Sequence, residues 1–240
     1  MQTRSRRART TSYAVLMCVL ALLLSSCAVW DALAPDDEQV PTAEPSAVEK
    51  MFDSQFTRDG TFQSHIDVDG MDFVYTLWPT KSTPRTNEWF PRGDKFFSFT
   101  FQAYDLDRRL RDPFATKRKV YLDRIKVTSR TTTVGNGRTQ KPYRLDASAR
   151  AITFDPEPVA TERGMLITSP KGAFELRNQR IGPMSLDTRG LTLSFTATVW
   201  IQDEAGSESF YKREIRQNVP IAIFESTERT AVTKIPVNAN

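Results

Sequence analysis

The chain has 240 residues, with 33 Lys+Arg against 29 Asp+Glu, one histidine and two cysteines. The whole basic excess is Arg4, Arg6, Arg7 and Arg9; residues 1–26 hold no acid, and the remainder balances at 29 against 29. The positive balance is therefore no argument for nucleic acid as a partner, and a single histidine excludes the usual zinc sets.

In chain order, the four arginines precede an uninterrupted apolar run, residues 13–24, "YAVLMCVLALLL". A basic segment followed by such a run is the layout of a secretory signal. The run is shorter than the roughly 20 apolar residues of a permanent membrane span. It ends in Leu24-Ser25-Ser26-Cys27, which resembles the lipobox of bacterial lipoproteins. The resemblance covers residues 1–27 only. It implies that a diacylglycerol is attached to the Cys27 sulfur and that residues 1–26 are removed as a signal peptide. A thiol is required because its thiolate is the effective nucleophile. Arg6-Arg7 is also compatible with a twin-arginine signal, but Arg9 stands where that signal has an apolar residue, which favours the general secretory route. The resemblance further implies a lipid anchor in the cell membrane or outer membrane, with the rest of the protein outside the cytoplasm.

Cys18 leaves with the signal and Cys27 carries lipid, so no thiol is left to form a disulfide. Stability must then come from a hydrophobic core, and about 190 residues are enough to build one. Residues 27–50 are expected to be the lipidated cysteine and a disordered tether. Positions 28–50 contain six acids, one lysine and three prolines, a composition that cannot bury much apolar surface. Residues 51–240 are expected to form a single domain with a frayed C-terminal tail. Its balance is 28 basic to 23 acidic groups.

From residue 61 the dominant period is two. "SHIDVDGMDFVYTL" alternates on both sides of Asp69-Gly70, a hairpin signal because both positions of a type I′ turn need positive φ. "KFFSFTFQAYDL" puts Phe97, Phe99, Phe101 and Ala103 on one face. "KVYLDRIKVTSRTTTV" reads as a long strand whose alternation slips near Asp123-Arg124, which predicts a bulge. "RAITFD", "GMLITS" and "AFELRN" read as shorter strands. "LTLSFTATVWI" faces Leu191, Leu193, Phe195, Ala197, Val199 and Ile201 one way, and its partner returns through "SFYKREIRQNVPIAIF". Short helices are expected at 46–52 and 105–111. Strands of this number and spacing predict a mainly β protein, an antiparallel β-sandwich of immunoglobulin-like architecture.

The candidates for chemistry are few. His65 is flanked by Ser64 and Asp67, and no nucleophile elbow is present. Asp67, Asp69 and Asp72 cluster at the first turn but lack the spacing of an EF-hand. Asp155 and Glu157 offer two carboxylates between prolines. No metal site and no cofactor are expected. Two surface features point to binding. "DRRLRDPFATKRK" supplies Arg108, Arg109, Arg111, Lys117, Arg118 and Lys119 as a basic loop suited to an anionic envelope polymer, lipid head groups or another envelope protein. Trp89 and Trp200 are expected as exposed aromatic contacts. The leading expectation is a membrane-anchored lipoprotein whose β domain binds or assists envelope assembly without catalysis. The alternatives are a glycan-binding accessory domain resting on the tryptophans, and an envelope hydrolase using Asp155 and Glu157 or the Asp67–Asp72 cluster.

Metabolic labelling with a palmitate analogue checks the anchor. The wild type is expected to take label and Cys27→Ala to take none; equal labelling of both contradicts the lipobox reading.

Overall fold

The computed structural model describes residues 53–80, 88–135 and 137–226. The expected signal peptide, Cys27, the expected tether, the helix expected at 46–52 and the expected frayed tail beyond 226 lie outside the described residues. Among the described residues no helix is long and apolar enough to cross a membrane.

The described chain starts with a one-turn helix, α1 (Gln55–Asp59), capped by the Ser54 side chain and closed by Gly60 at φ 71°. The strands β1 (Phe62–Val68) and β2 (Met71–Pro79) then form the first hairpin. Asp69 and Gly70 have φ of 55° and 72°, and Val68 pairs with Met71, as expected of a two-residue turn with both φ values positive. Next come β3 (Lys95–Asp105), a 3₁₀ turn at Phe114–Thr116, and β4 (Val120–Thr133). They are followed by β5 (Arg144–Ser148), a helical turn α2 (Ala149–Ile152), β6 (Ala160–Thr161), β7 (Gly164–Leu166) and β8 (Phe174–Ile181). The long hairpin of β9 (Thr188–Gln202) and β10 (Phe210–Ala222) completes the fold.

The protein is mainly β. One sheet has the order β1-β2-β3-β8; the other has β10-β9-β4-β7-β6, with β5 also paired to β4. All these pairings are antiparallel. The two sheets pack as a sandwich. An immunoglobulin constant domain has strands ABED over CFG; here the first three strands form a meander, so the likeness stops at the two-layer architecture.

Alternation decides the core. Phe97, Phe99, Phe101 and Ala103 of β3 are buried, as are Leu191, Leu193, Phe195, Ala197, Val199 and Ile201 of β9. Phe99 and Tyr75 of the first sheet meet Phe195 of the second at ring distances of 5.1 and 5.5 Å. Tyr75 stacks on Phe101 at 4.2 Å, and burial drives its phenol pKa far upward. The expected bulge is present: the β4–β9 register shifts between Leu122 and Arg124. Gly164 lies against this irregularity at φ 119°, where a Cβ would fall 2.2 Å from the Leu122 carbonyl oxygen.

Two local expectations are corrected. Residues 105–111 are not helical. Asp105 closes β3, and its Oδ1 accepts the Asp107 N–H at 3.3 Å, a local side-chain turn that competes with helix. "RAITFD" is not a strand: Ala149–Ile152 is a helical turn, after which the Phe154 N–H donates to the Glu175 carbonyl at 2.7 Å. Phe154 then lies under the Arg177 guanidinium, 3.7 Å from its ring centroid.

Phe195 makes ring contacts with both Tyr75 and Phe99 of the opposite sheet. Phe195→Ala should therefore cost about 3–5 kcal/mol in urea denaturation. A loss below about 1 kcal/mol contradicts its place between the sheets.

Candidate functional site at the β3–β4 loop

The basic loop joins β3 to β4 at the end of the sandwich that also holds the β1–β2 turn and the β9–β10 turn. Arg118 is the residue that connects these pieces. Its Nη2 donates to Asp105 Oδ1 at 2.9 Å and to Asp107 Oδ2 at 3.2 Å. The same guanidinium donates to the Asp69 and Gly70 carbonyls at 2.8 and 2.9 Å. Its backbone N–H donates to Asp105 Oδ2 at 2.8 Å. Close approach explains the glycine in the turn: a Cβ on Gly70 would stand 3.2 Å from Arg118 Nη2. Arg213 of β10 reaches the same turn, donating to Asp69 Oδ2 at 3.1 Å.

The Asp105 side chain is only 2% exposed. Burial alone would raise its pKa, but hydrogen bonds and charge from Arg118, helped by the Asp107 N–H, outweigh burial and hold it below the ordinary carboxylate value. Burial likewise opposes the Arg118 charge, and the Asp105 and Asp107 carboxylates more than offset that, raising its pKa. Lys117 is buried too, and its Nζ donates to the Arg109 carbonyl across the loop.

The six expected cations therefore do not form one patch. Lys117 and Arg118 are spent inside the structure, and Lys119 is half-buried on the approach to β4. Arg108, Arg109 and Arg111 are exposed at the tip, and none of them forms an ion pair among the described residues. Arg108 Nε donates to the Thr116 carbonyl at 3.2 Å, which leaves its two terminal amino groups open. The tip also exposes Leu106 and Leu110, at 52% and 61%.

Beneath the loop, on the outer face of the first sheet, is a concavity of about 330 Å³. His65, Asp72 and Val74 come from the first hairpin, Tyr104 from β3, and Arg108 and Leu110 from the loop. His65 sits diagonally across from Asp72 in the hairpin register, and its Nδ1 lies 2.7 Å from Asp72 Oδ2. Gln63 Nε2 lies 3.3 Å from His65 Nε2. The consistent assignment has Nδ1–H donating to Asp72 and Nε2 accepting from Gln63. Asp72 Oδ1 is buried with no hydrogen-bond partner among the described residues. The sequence offered His65 and Asp72 as separate candidates and did not pair them; the diagonal spacing across an Asp-Gly hairpin was the signal that could have done so.

The aromatic expectation is corrected. Trp89 is 2% exposed and packs edge-on against Phe56 at 5.0 Å. It bridges to Ile223, at the end of the sandwich away from the loop. Trp200 is half-buried on the outer face of the second sheet, with Lys212 Nζ 5.0 Å from its ring centroid. The two rings sit at opposite ends and form no common platform. Of the carboxylate candidates, Asp67 and Asp72 stand directly opposite each other in the β1–β2 register, and Asp155 and Glu157 lie apart from them. Asp69 pairs with Arg213, Asp72 with His65, and Asp155 Oδ1 accepts the Glu157 N–H at 3.0 Å in an exposed turn.

No protein-family model matches the chain, and no curated protein is similar to it at a significant level.

Because the folded pKa of Asp105 lies below the unfolded value of about 3.9, the unfolded chain binds the proton first as pH falls. The pair's contribution is complete above about pH 5 and is lost as pH drops through the folded pKa. Asp105→Asn should cost about 2–3 kcal/mol near neutral pH, less than a wholly buried pair because Arg118 keeps two carbonyl acceptors and a solvent edge. In urea denaturation the gap between variant and wild type should narrow as pH falls from about 5 to 2. A gap independent of pH contradicts the ion pair as its source.

Proposed function

We propose that the protein is a lipid-tethered, non-catalytic binding module of the bacterial cell envelope, and that the tip of the β3–β4 loop is its contact with an anionic polymer. The observation that carries this reading is the division of labour among the loop cations. Lys117 and Arg118 are bonded within the structure and hold the base of the loop. Arg108, Arg109 and Arg111 are left exposed without an acidic partner among the described residues. Cations held on a fixed base lose less freedom on binding than cations on a floppy loop.

The exposed cations suit an anionic polymer, and they lie far from the point where the described chain enters the sandwich. The chain comes into the sandwich through α1, which is followed by the start of β1. The loop sits at the other end of β1, where Gly70 accepts both the Leu106 N–H and the Arg118 guanidinium. Seven residues of strand separate the two ends by roughly 20 Å. The tip thus lies at the end of the sandwich opposite the one where α1 leads into β1.

The test replaces Arg108, Arg109 and Arg111 together by glutamine and measures binding to dextran sulfate and to vesicles of anionic phospholipid. Wild type should bind dextran sulfate, more weakly as salt shortens the Debye length below ~10 Å. The triple variant should bind roughly 100-fold less tightly, at about 1 kcal/mol per arginine, with an unchanged thermal midpoint. Equal binding by the variant contradicts the role of the tip, and a preference for vesicles over the polymer contradicts the choice of partner.

A further inference from the structure

We infer that the outer edge of β10 is an interface for a second copy of this chain, with the two β10 strands pairing antiparallel about a two-fold axis at Ile215. The interface is separate from the β3–β4 loop and does not depend on what the loop binds.

β10 has 13 residues, pairs with β9 from Phe210 to Ala222 without a register shift, and is the last strand of its sheet. Alternation in an antiparallel ladder assigns its backbone groups. The Ile223 N–H donates to the Arg189 carbonyl and the Asp203 N–H to the Ser209 carbonyl, so odd-numbered positions bond toward β9. The Ala222 N–H points the other way and donates to Thr57 Oγ1 at 3.3 Å. Even-numbered positions therefore direct their backbone groups out of the sheet. Pro220 is one of them and has no N–H to leave open. The Asn218 carbonyl accepts from Gln217 Nε2 at 2.7 Å, and the Lys212 carbonyl accepts from Arg213 Nη1 at 3.3 Å. Between them, the outward N–H and C=O of Glu214 and Arg216 have no partner among the described residues. The other long edges are interrupted. The Gln63 N–H of β1 is taken by Gln55 Oε1, and β8 is broken by Asn178 at φ 56°.

Charged side chains ordinarily guard such an edge. Here their order makes the strand self-complementary in one register. Centring on Ile215 sets Glu214 opposite Arg216 of the second copy, and Arg216 opposite its Glu214. Each of these pairs exchanges two backbone hydrogen bonds and joins opposite charges. Lys212 falls opposite Asn218 and Arg213 opposite Gln217, so no like charges face one another. Moving the centre by one residue sets Glu214 against Glu214 or Arg216 against Arg216. Moving it by two sets Arg213 against Arg213, or sets Glu214 against Pro220, which has no N–H to give. Glu214 and Arg216 already pair within one strand at 2.6 Å, but both are exposed, so exchanging that contact for the cross-strand pair costs little. A second copy supplies both charges at the required spacing by symmetry, and the two-fold leaves neither β10 edge open.

Sedimentation equilibrium of the full chain in mild detergent tests the interface. The wild type should show a monomer–dimer equilibrium. Glu214→Arg and Arg216→Glu should each weaken the dimer about tenfold by setting like charges opposite one another. The two substitutions combined in one chain should restore it. Thermal midpoints should stay unchanged, since both positions are exposed. Disulfide formation reads the register. Arg213→Cys with Gln217→Cys, in a chain carrying Cys18→Ala and Cys27→Ala, should give a covalent dimer on oxidation. The two positions are opposed across the axis but lie roughly 13 Å apart along one strand, too far to bridge within a chain. Neither substitution alone should cross-link. A chain that stays monomeric at every concentration overturns the interface. A dimer that ignores both charge substitutions, or cross-linking by a single cysteine as readily as by the pair, overturns the pairing of β10 about Ile215.

Discussion

The guanidinium of Arg118 holds one end of the sandwich together. It meets the last residue of β3, a carboxylate within the loop and two carbonyls of the β1–β2 turn, so three separate segments share one cation. Asp105 stands at an inward-facing position where a charge without a partner would be expensive, and the Asp69 and Gly70 carbonyls of the turn both accept from the guanidinium. The position of the loop, and with it the concavity below, follows from this contact.

The opposite end solves the same problem with a different cation. Lys95 is fully buried, and its Nζ donates to the carbonyls of Phe90, Pro91 and Gly93 at 2.7, 3.0 and 2.6 Å. Burial pushes its pKa down to about 8, while Asp94 pulls it upward. There the cation closes the loop that follows Trp89. The two ends thus differ in consequence. One is a sealed cap where the chain comes in; the other is a latched loop whose outer cations and concave underside stay accessible.

Much of the fold was legible because a half-buried strand writes its exposure at period two. The β3 and β9 faces, the Asp69-Gly70 turn and the bulge at Asp123 all follow from that pattern and from the φ requirements of the turn. The site was less legible because its residues are grouped by three-dimensional partners. Six cations in thirteen residues look like one patch, yet Asp105, thirteen positions before Arg118, removes that arginine from it, and the Arg109 carbonyl removes Lys117. Trp89 looked exposed because it sits among loop residues; α1, which carries Phe56, covers it. "RAITFD" fails as a strand because the chain must turn after β5 to bring Phe154 to Glu175. His65 and Asp72 are seven residues apart, and only the hairpin register makes them neighbours.

Arg118 and Lys117 fix the loop so that its tip is presented in one place. Amide hydrogen exchange reads this directly at Asp112, Thr116, Lys117 and Arg118, whose N–H groups bond to Arg109, Pro113, Phe114 and Asp105. These four amides should be protected in the wild type. In Arg118→Gln they should exchange at least tenfold faster, while amides of the central strand β9 keep their protection. Exchange at these four positions as fast as in an unfolded chain, already in the wild type, would contradict a latched loop.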